Sequence, residues 1–204
     1  MLADVIERLS GMDFRDFIEL RLSKPLGLPR LLGSPEGEQE NVADFVYIGD
    51  APPEDVVLLD QPAVRAVGDP GGGGIMRAAD LARFYQGLLH NPGGLWDAAV
   101  LDDALNNVRC VFPDELLGVP VNRTLGLVRA GADGQHAARY GSFGAANSPR
   151  SVGHAGLHMH LGWADPETGI SFAYATNGLD SDVMREAMRG LRLSDLAAGL
   201  TDLR

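Results

Sequence analysis

The chain has 204 residues, 45% hydrophobic and 22% charged, with a formal net charge of −11 and a pI of about 4.7. That length fits one compact domain able to bury roughly 70% of its unfolded surface, and the composition is that of a soluble globular protein. Its 17 basic residues are scattered and outnumbered by 28 acidic ones. This excludes a phosphate-tracking stripe, so neither nucleic acid nor an anionic membrane is an expected partner.

Leu2, Val5, Ile6 and Leu9 fall at helical spacing, and Ser10-Gly11 stops the run. Asp13 is placed to cap a second helix from Phe14 to about Leu22, with Asp16 in its first turn and Pro25 ending it. From Gly33 to about Asp69 the pattern turns irregular, broken by Pro35, Gly37, Pro52, Pro53 and Pro62. Glu36, Glu38 and Glu40 are expected in solvent, and Val56–Leu59 reads as a short strand or a buried loop anchor. The glycines at 71–74 lead into a helix from about Ala78 to Leu89, with Leu81, Phe84, Tyr85, Leu88 and Leu89 on its apolar face.

The last third changes period. Leu125–Val128 is strand-like, Leu157–Ala164 reads as a second strand and Ile170–Thr176 as a third. Asp165-Pro166-Glu167-Thr168-Gly169 turns between the last two to make a hairpin. Asp182–Leu191 reads as a helix, with a short one to follow at Leu193–Leu200. Helices and loops to about residue 112, then antiparallel strands and a terminal helix from about 113, predict a single α+β domain with helices on a sheet face. No run approaches about 20 apolar residues. The N-terminus lacks a basic and then apolar leader, which points to a cytoplasmic chain.

Several motifs are lures. The glycine run invites phosphate, yet Ile75-Met76-Arg77 follows where a P-loop needs Gly-Lys-Ser/Thr, and no βαβ unit surrounds it. His158 and His160 would share one face of a strand, and a metal could add His154 or Asp165. No acidic residue has the usual ligand spacing, so the favoured reading is a polar strand face with no metal or other cofactor. Asp165 and Glu167 could be an acid–base pair, but their place in a Pro-Gly turn makes them turn residues. The single cysteine, Cys110, can form no internal disulfide and reads as a small buried hydrophobe beside Val108, Val111 and Phe112.

Three stretches, in this order, resemble the serine β-lactamase-related family of class C β-lactamases, D-alanyl-D-alanine carboxypeptidases and esterases. They are Asp4–Gly11 followed by Pro25-Leu26-Gly27-Leu28, the glycine-led helix Gly72–Phe84, and Gly153-His154-Ala155-Gly156 with Trp163–Gly169 and Thr176-Asn177-Gly178. The resemblance spans nearly the whole chain and implies the C-terminal part of a β-lactamase/transpeptidase-like fold. It would lack the N-terminal strands and the nucleophile helix.

The departures concern the chemistry. Such enzymes take a nucleophile from Ser-x-x-Lys and use a Tyr-x-Asn motif. The lone lysine, Lys24, has Arg21 three positions earlier, and the four tyrosines at 47, 85, 140 and 174 have Gly49, Gly87, Ser142 and Thr176 two residues on. Ala155 lacks the hydroxyl of a Lys-Thr-Gly motif, which favours esterase-like relatives over penicillin recognition. The resemblance implies that His154, Ala155, Gly156 and Leu157 form a substrate and oxyanion wall, with the Leu157 N–H as one oxyanion donor. A small ester or amide would be the substrate once the missing half completes the site. Alone, the chain is expected to be inactive and to expose an unpaired sheet edge open to homo-oligomerisation. Two alternatives stand beside this: a non-catalytic binding module with the same half-fold, and a histidine-based metal hydrolase.

Overall fold

The computed structural model describes residues 1–52, 54–156, 158 and 160–200, apart from the side chain of Asp55. The chain groups into two compact units: Met1–Asp80 with Asn177–Ser181, and Leu81–Thr176 with Asp182 onward.

In the first unit, α1 (Leu2–Ser10) ends at Gly11, whose φ of 69° is one that glycine adopts without strain. Asp13 caps α2 (Phe14–Ile18) by accepting from the Arg15 amide at 2.8 Å, as its place before the apolar run predicts. A π-helical turn, Glu19–Ser23, carries the helix on to Lys24 and Pro25. Strand β1 (Val46–Ile48) is followed by α3 (Glu54–Leu58) and α4 (Pro62–Val67). The Val56–Leu59 expectation is therefore corrected. The segment is largely helical, and of these four only Val56 is buried, since a four-residue apolar run carries no period to separate strand from helix. Glu36, Glu38 and Glu40 are exposed as expected. Asp69 takes the amides of Gly71, Gly72 and Gly73 with its carboxylate and carbonyl, so the glycine run closes on itself.

The second unit holds α5 from Leu81 (the whole helix is Ala78–His90) and α6 (Ala98–Asn106). Its sheet has the order β2-β3-β4-β5, antiparallel throughout: Val128–Arg129, Val152–Ala155, Leu161–Asp165 and Ile170–Tyr174. The short β6 (Gly178–Asp180) returns to the first unit and pairs in parallel with β1. Helix α7 (Val183–Ala198) closes the described chain. It is one helix rather than the expected two, because Gly190, Ser194, Ala197 and Ala198 make a continuous buried stripe of small residues along it.

Alternation along the strands sorts the side chains of this sheet into two faces. Val128, Ala155, Leu161 and Trp163 pack toward α7, together with Phe172 and Tyr174. Trp163 is fully buried and its indole N–H donates to Ser194 Oγ at 3.1 Å. On the other face, Ala164 and Leu127 meet Tyr85, Leu88, Leu101 and Leu105 of α5 and α6. Two glycines set these distances. A Cβ on Gly153 would lie 2.4 Å from the Gly162 carbonyl oxygen and 2.6 Å from the Trp163 Cβ, and one on Gly162 would lie 2.5 Å from the Tyr85 ring.

Three further expectations are corrected. The strand expected over Leu157–Ala164 begins only at Leu161, and His158 has a φ of 52°, which puts it in a turn. Only Val128 of the Leu125–Val128 segment is in a strand, because the chain turns through Gly126 at a φ of 87°. Cys110 is half-buried, and its neighbours Val111 and Phe112 are 61% and 77% exposed, so it is not a core residue.

Asp165 is 1% exposed and does more than shape a turn. Its carboxylate accepts from Ser148 Oγ at 2.6 Å, from the Ser148 amide at 2.9 Å and from the Glu167 amide at 2.9 Å. Burial favours the neutral acid, but these donors outweigh it and hold the carboxyl below its ordinary value. The Arg139 guanidinium likewise holds Asp133 at about 2.

Two outcomes follow from this packing. Gly162→Ala should lower the free energy of chemical unfolding by about 1–3 kcal/mol, because the new methyl must displace the Tyr85 ring; an unchanged denaturation midpoint would contradict the close approach. The two depressed carboxyls stabilise the fold fully above the unfolded aspartate value of about 3.9 and cease to do so as pH falls through their folded values. The thermal midpoint should therefore drop between about pH 5 and about pH 2, and Asp165→Asn should flatten that drop.

Candidate active-site wall

The four residues singled out by the sequence lie at the end of β3 and just beyond it. His154 and Ala155 are the last two strand residues, paired with Gly162 and Leu161. Gly156 follows, and Leu157 lies outside the described residues. The backbone here is already engaged: the Ala155 amide donates to the Tyr140 carbonyl, and the Gly156 amide donates to the His160 carbonyl at 2.6 Å. A chain held at both residues is a rigid edge rather than a loose loop, the kind of support an oxyanion-binding segment needs.

The Ala155 side chain faces the α7 core at 5% exposure, so His154 presents its ring on the opposite face. That ring is exposed to solvent and stacks on Tyr140, with centroids 6.0 Å apart and planes 3° apart. Arg123 Nη1 approaches His154 Nε2 at 3.5 Å, and the same guanidinium lies 5.9 Å from the centre of the Tyr140 ring. The protein packed against the imidazole disfavours its charged form most strongly, and Arg123 adds to that effect. A bond to the Ala155 backbone works the other way, and the net result lies below the ordinary histidine value. His154 is thus tuned toward a neutral ring beside a permanent cation. Below the segment, the buried Tyr85 hydroxyl is hydrogen-bonded to the His154 backbone, and burial pushes its phenol upward.

Arg139 fixes the loop that supplies Tyr140. Its side chain is wholly buried, donates to the Pro120 carbonyl at 2.8 Å and to the Ala130 carbonyl, and pairs with Asp133. Arg123, Tyr140 and Arg139 carried no signal in the sequence. They reach His154 through the irregular arm in which Cys110 bridges Arg123 and Arg123 bridges Val128. Tyr85 was visible only as a member of an apolar helical face.

The histidines proposed as metal ligands are not brought together. His154 meets Arg123 and Tyr140, His158 Nδ1 meets both carboxylate oxygens of Glu186 at 3.1 and 3.2 Å, and His160 Nε2 meets the Thr176 carbonyl. Asp165 is occupied by Ser148 and Glu167. Among the described residues no group of three or more histidine, cysteine or acidic side chains is placed to hold a metal ion. No helix among them is long and apolar enough to cross a membrane.

The chain is similar to several known proteins. The chain is 34% identical over 120 residues to the esterase/beta-lactamase LipL of Mycobacterium tuberculosis (strain ATCC 25618 / H37Rv), a match over 56% of this chain and 25% of LipL. Its fold matches the crystal structure of a penicillin-binding protein homolog from Caulobacter crescentus with a TM-score of 0.70 at 23% identity, over 98% of this chain and 55% of the homolog. EstA from Arthrobacter nitroguajacolicus Rue61a matches with a TM-score of 0.70 at 19% identity, over 97% of this chain and 57% of EstA. The chain thus spans a quarter to a little over half the length of these relatives. The Beta-lactamase family model matches residues 1–197, nearly the full 204, and the chain belongs to the Beta-lactamase family.

Proposed function

We propose that the chain is a single partial domain of an esterase-type serine hydrolase, contributing the substrate and oxyanion wall while the nucleophile and base come from polypeptide outside these 204 residues. In the complete protein the reaction is hydrolysis of a carboxylic ester or amide through an acyl-enzyme. The observation that carries this is the His154–Gly156 segment: a family motif held by backbone bonds at both Ala155 and Gly156, with an exposed ring on its open face, in a sequence with no Ser-x-x-Lys and no Tyr-x-Asn. The Leu157 N–H is its oxyanion donor. A methyl added at Gly156 would have no neighbour nearer than 3.7 Å, so the bare backbone leaves room for substrate against the strand. His154 and Arg123 would orient the substrate's polar groups as neutral and charged donors. The absence of a hydroxyl at position 155 favours esters over β-lactams.

A second reading is favoured by one surface. Strand β5 forms an edge of the sheet, and Met184, Met188 and Leu196 on α7 are exposed. A half-fold kept as an assembly module would pair such an edge with another chain or a second copy. Light scattering separates the two: a stable dimer at micromolar concentration supports the module, and a monomer supports the wall.

The hydrolase reading is tested by kinetics. The 204-residue chain alone should hydrolyse p-nitrophenyl acetate no faster than buffer, since loss of nucleophile and base costs about 10⁶ in turnover. Joined after an N-terminal segment that carries Ser-x-x-Lys and Tyr-x-Asn, it should show saturable hydrolysis. His154→Ala should then lower kcat/KM about tenfold, the loss of one hydrogen bond to substrate. No activity in a folded fusion, or full activity in the His154 variant, would overturn the reading.

A further inference from the structure

Between α5, α6 and the turn before β2 the second unit forms a hollow of about 320 Å³, half open to solvent. Phe84 and Leu88 line it from α5, Leu101 and Leu105 from α6, and Leu127 from the turn. Val100 and Leu125, 53% and 52% exposed, stand at its margin. No charged side chain lines it in a chain where 22% of residues are charged, and the indole of Trp96 is its one polar side chain. Such a lining can take hydrocarbon but cannot satisfy a carboxylate, an amide or a sugar, whose burial without partners costs several kcal/mol. The size is at the lower end of the range for small-molecule sites.

Its position relates it to the wall described above. Tyr85, which packs in one cluster with Leu88 and Leu127 of the lining, has its hydroxyl hydrogen-bonded to the His154 backbone. The cavity therefore begins one side chain away from the motif histidine. An amphiphile with its polar end at His154 has this apolar hollow within reach of its tail, on the far side of Tyr85.

We propose that this cavity receives the hydrocarbon acyl chain of an ester whose carbonyl lies at the His154–Gly156 segment. The inference rests on the ester-hydrolase reading and adds the substrate class: straight-chain aliphatic esters are preferred over acetate. A second copy of the chain is a poorer occupant, because a net charge of −11 on each molecule opposes self-association at an uncharged contact.

The test needs no nucleophile, so its failure is distinct from failure of the hydrolase reading. Of the two tryptophans, Trp163 is fully buried against α7, which leaves Trp96 as the reporter in the cavity. Titration of the purified chain with 1-butanol, 1-hexanol, 1-octanol and 1-decanol should give a saturable shift in tryptophan emission, lost in Trp96→Phe. Affinity should rise about fourfold per added methylene until the cavity is full. Ala104→Trp fills the cavity and should weaken 1-octanol binding at least tenfold. Val100→Arg, at the exposed margin and compatible with folding, should do so too. Circular dichroism checks both folds. Absence of saturable binding, or binding unaltered in a folded Val100→Arg variant, overturns the proposal. So does a dimer by light scattering that dissociates on Ala104→Trp, since the occupant would then be a second copy.

Discussion

The second unit depends on how closely β3 and β4 run past each other at Gly153 and Trp163. With no side chain at 153, the Trp163 indole lies across the sheet face, fully buried, and reaches Ser194 on α7. On the opposite face, the bare Gly162 lets Tyr85 descend from α5 to the His154 backbone. Two missing Cβ atoms thus anchor a helix on each side of a four-stranded sheet and fix the strand end that carries the motif. The small residues of α7 serve the same closeness from the helix side.

Around that fixed strand end, the candidate site is built from charge and hydrogen bonding. Arg139, buried and paired with Asp133, holds the backbone that presents Tyr140. The Tyr140 carbonyl receives the Ala155 amide, and its ring stacks on His154. Arg123 then supplies a cation next to an imidazole whose own charging is disfavoured. A neutral ring beside a guanidinium is suited to polarising and orienting a substrate, not to attacking it. This agrees with the proposed wall in a Beta-lactamase-family chain that has no Ser-x-x-Lys in its sequence.

What the sequence made legible is what local physics dictates. Helices α1, α2 and α5 announce themselves by apolar period and by capping at Gly11 and Asp13, and the β4–β5 hairpin by its Pro-Gly turn between alternating runs. Strand β3 was hidden because Gly153 and His154 break any apolar alternation, and β1 because its three residues pair with a segment more than 130 positions away. Helix α6 and the His158 turn were missed for lack of a distinctive period or a glycine. The motif residues were read from resemblance alone, while Arg123 and Tyr140 became neighbours of His154 only through long-range bridges that no local pattern encodes.

A division of labour underlies the proposed chemistry: this polypeptide receives the developing negative charge while another segment supplies the attacking oxygen. Intact-mass analysis after incubating the purified 204-residue chain with a fluorophosphonate probe tests that division most directly. The predicted result is an unmodified mass at probe concentrations that fully label a serine esterase. Stoichiometric phosphonylation of one of its own serines would contradict it.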